Sequence, residues 1–114
     1  MLDHNMIELL RVTIAEQAQS VYDSYIKRSP ERGGGICDEI VEEIIGLLYD
    51  NLEGVDVRSR GGDGDDHAPV VAVIQGTTYL INIPRYIYEE IKGDTWEVIP
   101  GVKFVGSDVI FEET

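Results

Sequence analysis

A single cysteine and two histidines are the residues of this 114-residue chain best suited to nucleophilic chemistry. Cys37 follows three consecutive glycines and opens a stretch in which apolar residues recur at helical spacing. The positive end of a helix favours a thiolate, and the thiolate is the form of cysteine that attacks a carbonyl carbon. His67 precedes an apolar stretch, whereas His4 lies in the loosely patterned N-terminus. His67 is therefore the candidate acceptor of the thiol proton.

Asn82 is the third candidate, because an amide oxygen can accept a hydrogen bond from an imidazole and fix its tautomer. It lies fifteen residues after His67, near the end of the next predicted strand. A two-residue turn at Gln75-Gly76 would set position 82 opposite position 69 and make His67 and Asn82 diagonal neighbours, about 7–8 Å apart. A turn at Gly76-Thr77, the better type II′ pair, would separate them further, and a three-residue turn would put them on opposite faces. The sequence leaves these alternatives open.

Two amphipathic helices are predicted before any strand. The first runs from Met6 to about Arg28 and ends at Ser29-Pro30, because the residue before a proline avoids the α region. The second runs from about Ile36 to Leu52, and Cys37 begins its apolar face while the acidic residues occupy the opposite face. The glycines at 33–35 therefore form the break that separates the two helices.

The remainder of the chain alternates between short apolar stretches and turn residues, which is typical of strands. Strands are predicted at 55–60, 70–74 and 78–83, a short helix at 85–92, and one to three short strands between 96 and 111. Helices segregated from a mostly antiparallel sheet indicate an α+β fold, with two N-terminal helices packed on that sheet. We predict a single domain over residues 1–114.

The order of these motifs resembles the papain-like superfamily, and most closely its transglutaminase-like branch. The segments 66–73 and 79–84 are similar to the strand that carries the histidine in that family and to the strand that carries its acid or amide. The resemblance covers roughly residues 33–84. It implies a papain/transglutaminase-like core with Cys37 as nucleophile, His67 as general base and acid, and Asn82 as the residue that orients the imidazole. It also implies acyl transfer from a peptide or isopeptide amide, through a thioester and without a cofactor.

The formal net charge of −13 argues against direct binding of nucleic acid through its phosphates. It supports a second hypothesis, in which the chain is a non-catalytic acidic inhibitor of phage or plasmid type that engages a basic partner by imitating a nucleic-acid backbone. Carboxylates gathered on one face away from Cys37 would favour this hypothesis. An open groove leading to Cys37 and His67 would favour the enzyme.

An acidic loop next to His67 offers carboxylates that a hard cation could use, namely Asp63, Asp65 and Asp66. The loop lacks the glycine at position six and the closing glutamate of an EF-hand, so a solvated loop is the preferred interpretation, and no metal is expected. No apolar stretch approaches the roughly 18 residues that cross a bilayer. The absence of a secretory signal pattern and the single cysteine favour a cytoplasmic protein without membrane contact.

Overall fold

The computed structural model describes residues 2–28, 35–60 and 69–114. Helix α1 spans His4–Arg28 and helix α2 spans Ile36–Asn51, close to the predicted bounds. Helix α1 begins two residues earlier than predicted because Asp3 caps it, accepting a hydrogen bond from the Met6 amide at 2.8 Å. No helix within the described ranges has the length and apolar character needed to cross a membrane.

The strands form one four-stranded sheet and one separate hairpin. Their bounds are β1 Val55–Arg60, β2 Val70–Ile74, β3 Thr77–Asn82, β4 Glu89–Lys92, β5 Thr95–Val98 and β6 Ile110–Glu113. The sheet has the order β1-β2-β3-β6 with antiparallel neighbours, and β4 pairs with β5. The predicted α+β class, with two helices followed by a mostly antiparallel sheet, is confirmed.

The short helix predicted at 85–92 is wrong. That segment instead begins with a short 3-10 turn, Arg85–Ile87, and after Tyr88 continues as β4, and a second 3-10 turn spans Gly106–Asp108. Strand β4 folds back onto β5 across a turn in which Gly93 has a φ of 65°. A tight turn of this kind closes a local hairpin, and pairing with β5 then satisfies the backbone groups that a helix would have satisfied internally.

The connection between β2 and β3 decides the register left open by the sequence. Ile74 pairs with Thr77, so the turn consists of Gln75-Gly76. Their φ angles are 51° and 85°, which is the type I′ arrangement. The alternative turn at Gly76-Thr77 is therefore wrong. A type I′ turn matches the right-handed twist of the flanking strands, and the glycine adopts its positive φ without strain.

One continuous core lies between the helices and the sheet. Alternate residues of β2 and β3 are buried, as expected for a sheet with one covered face. Tyr79 and Phe111 pack with ring centroids 5.3 Å apart on neighbouring strands. A buried stripe of α2 belongs to the same core, repeats every four residues and consists of Ile36, Ile40, Ile44 and Leu48. This stripe fixes the rotation of α2 and therefore the direction in which Cys37 points.

Candidate functional site

Cys37 is the second residue of α2 and lies at the edge of its buried stripe. Ile36 is fully buried and Ile40 is buried one turn later, whereas Cys37 is half-buried. Gly35 precedes the helix and has no side chain with which to cap the first amide groups. The thiol thus lies at the positive end of a 16-residue helix, at the boundary between core and surface.

Contacts between α1 and α2 fix the position of the thiol-bearing turn. The Arg28 guanidinium donates to both carboxylate oxygens of Glu39, at 2.7 and 3.0 Å. The same guanidinium lies 5.7 Å from the centroid of the Tyr25 ring, and that ring packs against Gly35. Arg28 thereby offsets the charge of Glu39, one of the two carboxylates in the first turn of α2.

Tyr88 is the polar residue that the structure places beside the Cys37 thiol. Its side chain is fully buried, and its hydroxyl has no nitrogen or oxygen partner among the described residues. Burial raises the pKa of this hydroxyl, and the neighbouring Cys37 thiol and Glu89 carboxylate raise it further, while Arg85 lowers it. The hydroxyl therefore stays protonated and can donate a hydrogen bond toward the sulfur.

A buried ion pair lies next to this tyrosine. Arg85 Nε donates to Glu89 Oε1 at 3.0 Å, and the Glu89 side chain is completely buried. The Arg85 guanidinium carbon lies 3.8 Å from the centroid of the Trp96 ring, a cation–π distance. Glu89 and Trp96 belong to the two strands of the β4–β5 hairpin, so the pair attaches the hairpin to the segment that carries Tyr88.

The pairing register of β2 and β3 decides how far apart His67 and Asn82 are predicted to lie. Val70 pairs with Ile81, so continuing the ladder by one residue sets Asn82 level with Pro69. Asn82 is half-buried at the end of β3, level with Ile110 of β6. This is the register for which His67 and Asn82 are predicted to be diagonal neighbours. His67 itself lies outside the described residues, so its contact with Cys37 or Asn82 stays a prediction.

The structure thus joins Cys37 to Tyr88, a residue that the sequence did not connect with the thiol. Tyr88 was hidden because the spacing of residues 85–92 favours a helix, in which Arg85 and Glu89 would form an ordinary surface pair four residues apart. The aromatic residues after Pro84 were the available signal, since strands are enriched in them. The acidic loop at 63–66, considered for a cation, lies outside the described residues, and the described residues contain no group of metal ligands.

The buried tyrosine makes stability depend on alkaline pH. In the unfolded chain a tyrosine ionises near pH 10, whereas Tyr88 stays protonated when folded, so the folded state holds more protons above that pH and loses stability as pH rises. Between about pH 10.5 and 11.5 we expect the free energy of unfolding of the wild type to fall about 1.4 kcal/mol further than that of Tyr88→Phe.

Urea denaturation at each pH measures this difference. Tyr86→Phe is the matched control, because it removes the same hydroxyl from a side chain that is 75% exposed. Equal alkaline losses for the wild type and Tyr88→Phe would show that Tyr88 ionises freely in the folded protein.

Comparisons of the chain with protein-family models, with curated proteins and with solved structures found no significant match.

Proposed function

We propose that this protein is a small cysteine-dependent hydrolase or acyl transferase with a papain-like, transglutaminase-like core, acting on a peptide or isopeptide amide. One observation carries the proposal. The half-buried thiol of Cys37 lies at the start of α2, beside the buried and protonated Tyr88 hydroxyl. This arrangement suits acyl transfer for three reasons. Cys37 supplies a nucleophile, and the start of a helix favours a thiolate. Tyr88 supplies a hydrogen-bond donor that has no other nitrogen or oxygen partner among the described residues.

In the proposed reaction His67 takes the thiol proton, and the Cys37 sulfur attacks the amide carbon to form a tetrahedral adduct. The carbon–nitrogen bond then breaks, and His67 returns the proton to the departing amine, leaving a thioester on Cys37. Water or a second amine then attacks the thioester carbon while His67 accepts the proton of the attacking group. The carbon–sulfur bond breaks to release the acid or the new amide, and His67 returns the proton to the Cys37 sulfur. Asn82 holds the imidazole in the required orientation.

In this proposal Tyr88 donates a hydrogen bond to the carbonyl oxygen of the substrate, on which negative charge develops during attack. Its hydroxyl is buried, and burial raises its pKa, so it donates rather than ionises when a negative charge forms nearby. A donor already fixed in a water-poor environment stabilises such a charge more strongly than water does, because it needs no reorganisation during the reaction. The Arg85–Glu89 pair positions the segment from which Tyr88 projects.

The alternative proposal, an acidic inhibitor that imitates nucleic acid, requires the carboxylates to gather on one face. In the described residues the exposed carboxylates are spread around the molecule. Examples lie on α1, α2, β1, the β4–β5 turn and β6, namely Glu8, Glu43, Asp56, Asp94 and Glu113. This distribution favours no single docking face, so the acyl-transfer proposal is preferred.

Reaction with p-nitrophenyl acetate, an activated ester that needs no specific binding site, tests the proposal. The wild type is expected to release a burst of p-nitrophenolate equal to the amount of protein, with the acetyl group located on Cys37 by peptide mass spectrometry. Cys37→Ala should release none above the buffer rate. A burst that persists in Cys37→Ala, or an acetyl group found only on lysines, would contradict the proposal.

A further inference from the structure

A second candidate site lies away from Cys37, between the C-terminal half of α1 and the loop that follows β5. It is a half-open cavity of about 510 Å³, within the usual range for small-molecule sites. Its walls are mainly apolar and include Ile26 of α1 and Val98 and Val102 of the loop region. Lys27 of α1 and Lys103 of the loop also line it.

The loop that forms one wall is held in place by side chains of α1. The Tyr22 hydroxyl donates to the Ile99 carbonyl and accepts a hydrogen bond from the Val102 amide at 3.4 Å. Gln19 Nε2 donates to the Val102 carbonyl at 3.0 Å. The cavity is therefore formed before a ligand enters, which reduces the ordering cost of binding.

Lys27 and Lys103 are the described lysine and arginine residues that form no ion pair with a carboxylate of the described residues. The other six each pair with a carboxylate, namely Arg11, Arg28, Arg58, Arg60, Arg85 and Lys92. Lys27 and Lys103 make no ion pair within the described residues, although the chain has 22 acidic residues and only nine basic ones. The one carboxylate in the cavity wall, Asp23, accepts a hydrogen bond from Gln19 at 3.1 Å. The cavity thus combines two unpaired positive charges with one negative charge.

We propose that this cavity binds a small apolar carboxylate carrying one negative charge. The apolar body would lie against Ile26, Val98 and Val102, and the carboxylate between Lys27 and Lys103. A single charge matches the cavity, because two lysines and Asp23 leave one net positive charge, and a dianion would add repulsion from Asp23 within a strongly acidic protein. This inference does not depend on the chemistry proposed for Cys37.

Three probes of equal chain length separate charge recognition from simple apolar contact: octanoate, 1-octanol and octylamine. Each is titrated into ¹⁵N-labelled wild-type protein and followed by amide chemical shifts. Octanoate is expected to shift amides of residues 22–27 and 98–103 in a saturable manner, with a dissociation constant at least about tenfold lower than those of the alcohol and the amine.

Matched lysine variants test the assignment of the carboxylate contacts. Lys27→Gln/Lys103→Gln should weaken octanoate binding by roughly tenfold or more. Lys92→Gln removes an equal charge from a lysine that pairs with Glu90 outside the cavity, and should leave the dissociation constant unchanged within about twofold. The proposal is overturned if octanoate does not bind, if 1-octanol binds equally well, or if the two variants weaken binding equally.

Discussion

Replacing Arg85 by methionine is expected to lower the free energy of unfolding by about 3–5 kcal/mol. Methionine approximates the volume of the arginine stem but removes the guanidinium, and so leaves the fully buried Glu89 carboxylate without the partner that lies 3.0 Å from it. It also removes the cation that lies against the face of Trp96. Removing the cation that pairs with a buried carboxylate is among the most costly single changes in a folded protein.

Arg60 provides a control, because its ion pair has the same nitrogen–oxygen distance but is exposed. It pairs with Glu42 at 3.0 Å, but both side chains are more than half exposed. Arg60→Met should therefore cost less than about 1 kcal/mol. The double variant Arg85→Met/Glu89→Leu should recover most of the stability lost by Arg85→Met, because it removes the buried Glu89 carboxylate together with its cationic partner. Equal costs for Arg85→Met and Arg60→Met in urea denaturation would show that burial does not govern the Arg85–Glu89 pair.

Replacing Tyr88 by phenylalanine is expected to slow acylation of Cys37 by p-nitrophenyl acetate by about 100-fold, the usual cost of losing one donor to a developing negative charge. The hydroxyl is the only part of the side chain removed, and it is buried beside the thiol without a nitrogen or oxygen partner among the described residues. Removal of such a group should leave the free energy of unfolding at neutral pH within about 1 kcal/mol of the wild type, or raise it.

The contrast between rate and stability distinguishes this role from a structural one. A purely structural tyrosine would lose stability and activity together, whereas a donor loses activity while the protein stays folded. Tyr86→Phe removes a hydroxyl from an exposed side chain two residues away and should change neither quantity. A wild-type acylation rate in Tyr88→Phe would exclude Tyr88 from the reaction.

The helices and the β2–β3 hairpin could be predicted from sequence because their signals are local. The predicted apolar face of α2 is buried at Ile40, Ile44, Ile45 and Leu48. The end of α1 likewise follows from Pro30, since backbone sterics next to a proline act without tertiary contacts. Cys37 lies at the start of α2 as predicted, but it is half-buried, and Ile36 rather than Cys37 begins the buried stripe.

The Tyr88 surroundings could not be predicted, because they depend on contacts between distant parts of the chain. An arginine and a glutamate four residues apart normally indicate a solvated helix surface, and nothing local shows that Arg85 and Glu89 are buried or that Arg85 lies against Trp96. The meeting of Tyr88 with Cys37 joins the β4 region to the start of α2, fifty-one positions away in sequence. The sequence left the turn at Gln75-Gly76 as one of three alternatives, since Gln75 is an uncommon residue at positive φ.

The rate of iodoacetamide labelling of Cys37 as a function of pH, in wild type, His67→Ala and His4→Ala, tests the central proposal most directly. If His67 accepts the thiol proton, labelling of the wild type becomes half-maximal at a pH about one unit or more below that of His67→Ala. His4→Ala, which removes the other histidine, should follow the wild type. Identical profiles for wild type and His67→Ala, with labelling rising only near the value of a free thiol, about pH 8.5, would contradict a catalytic pairing of Cys37 with His67.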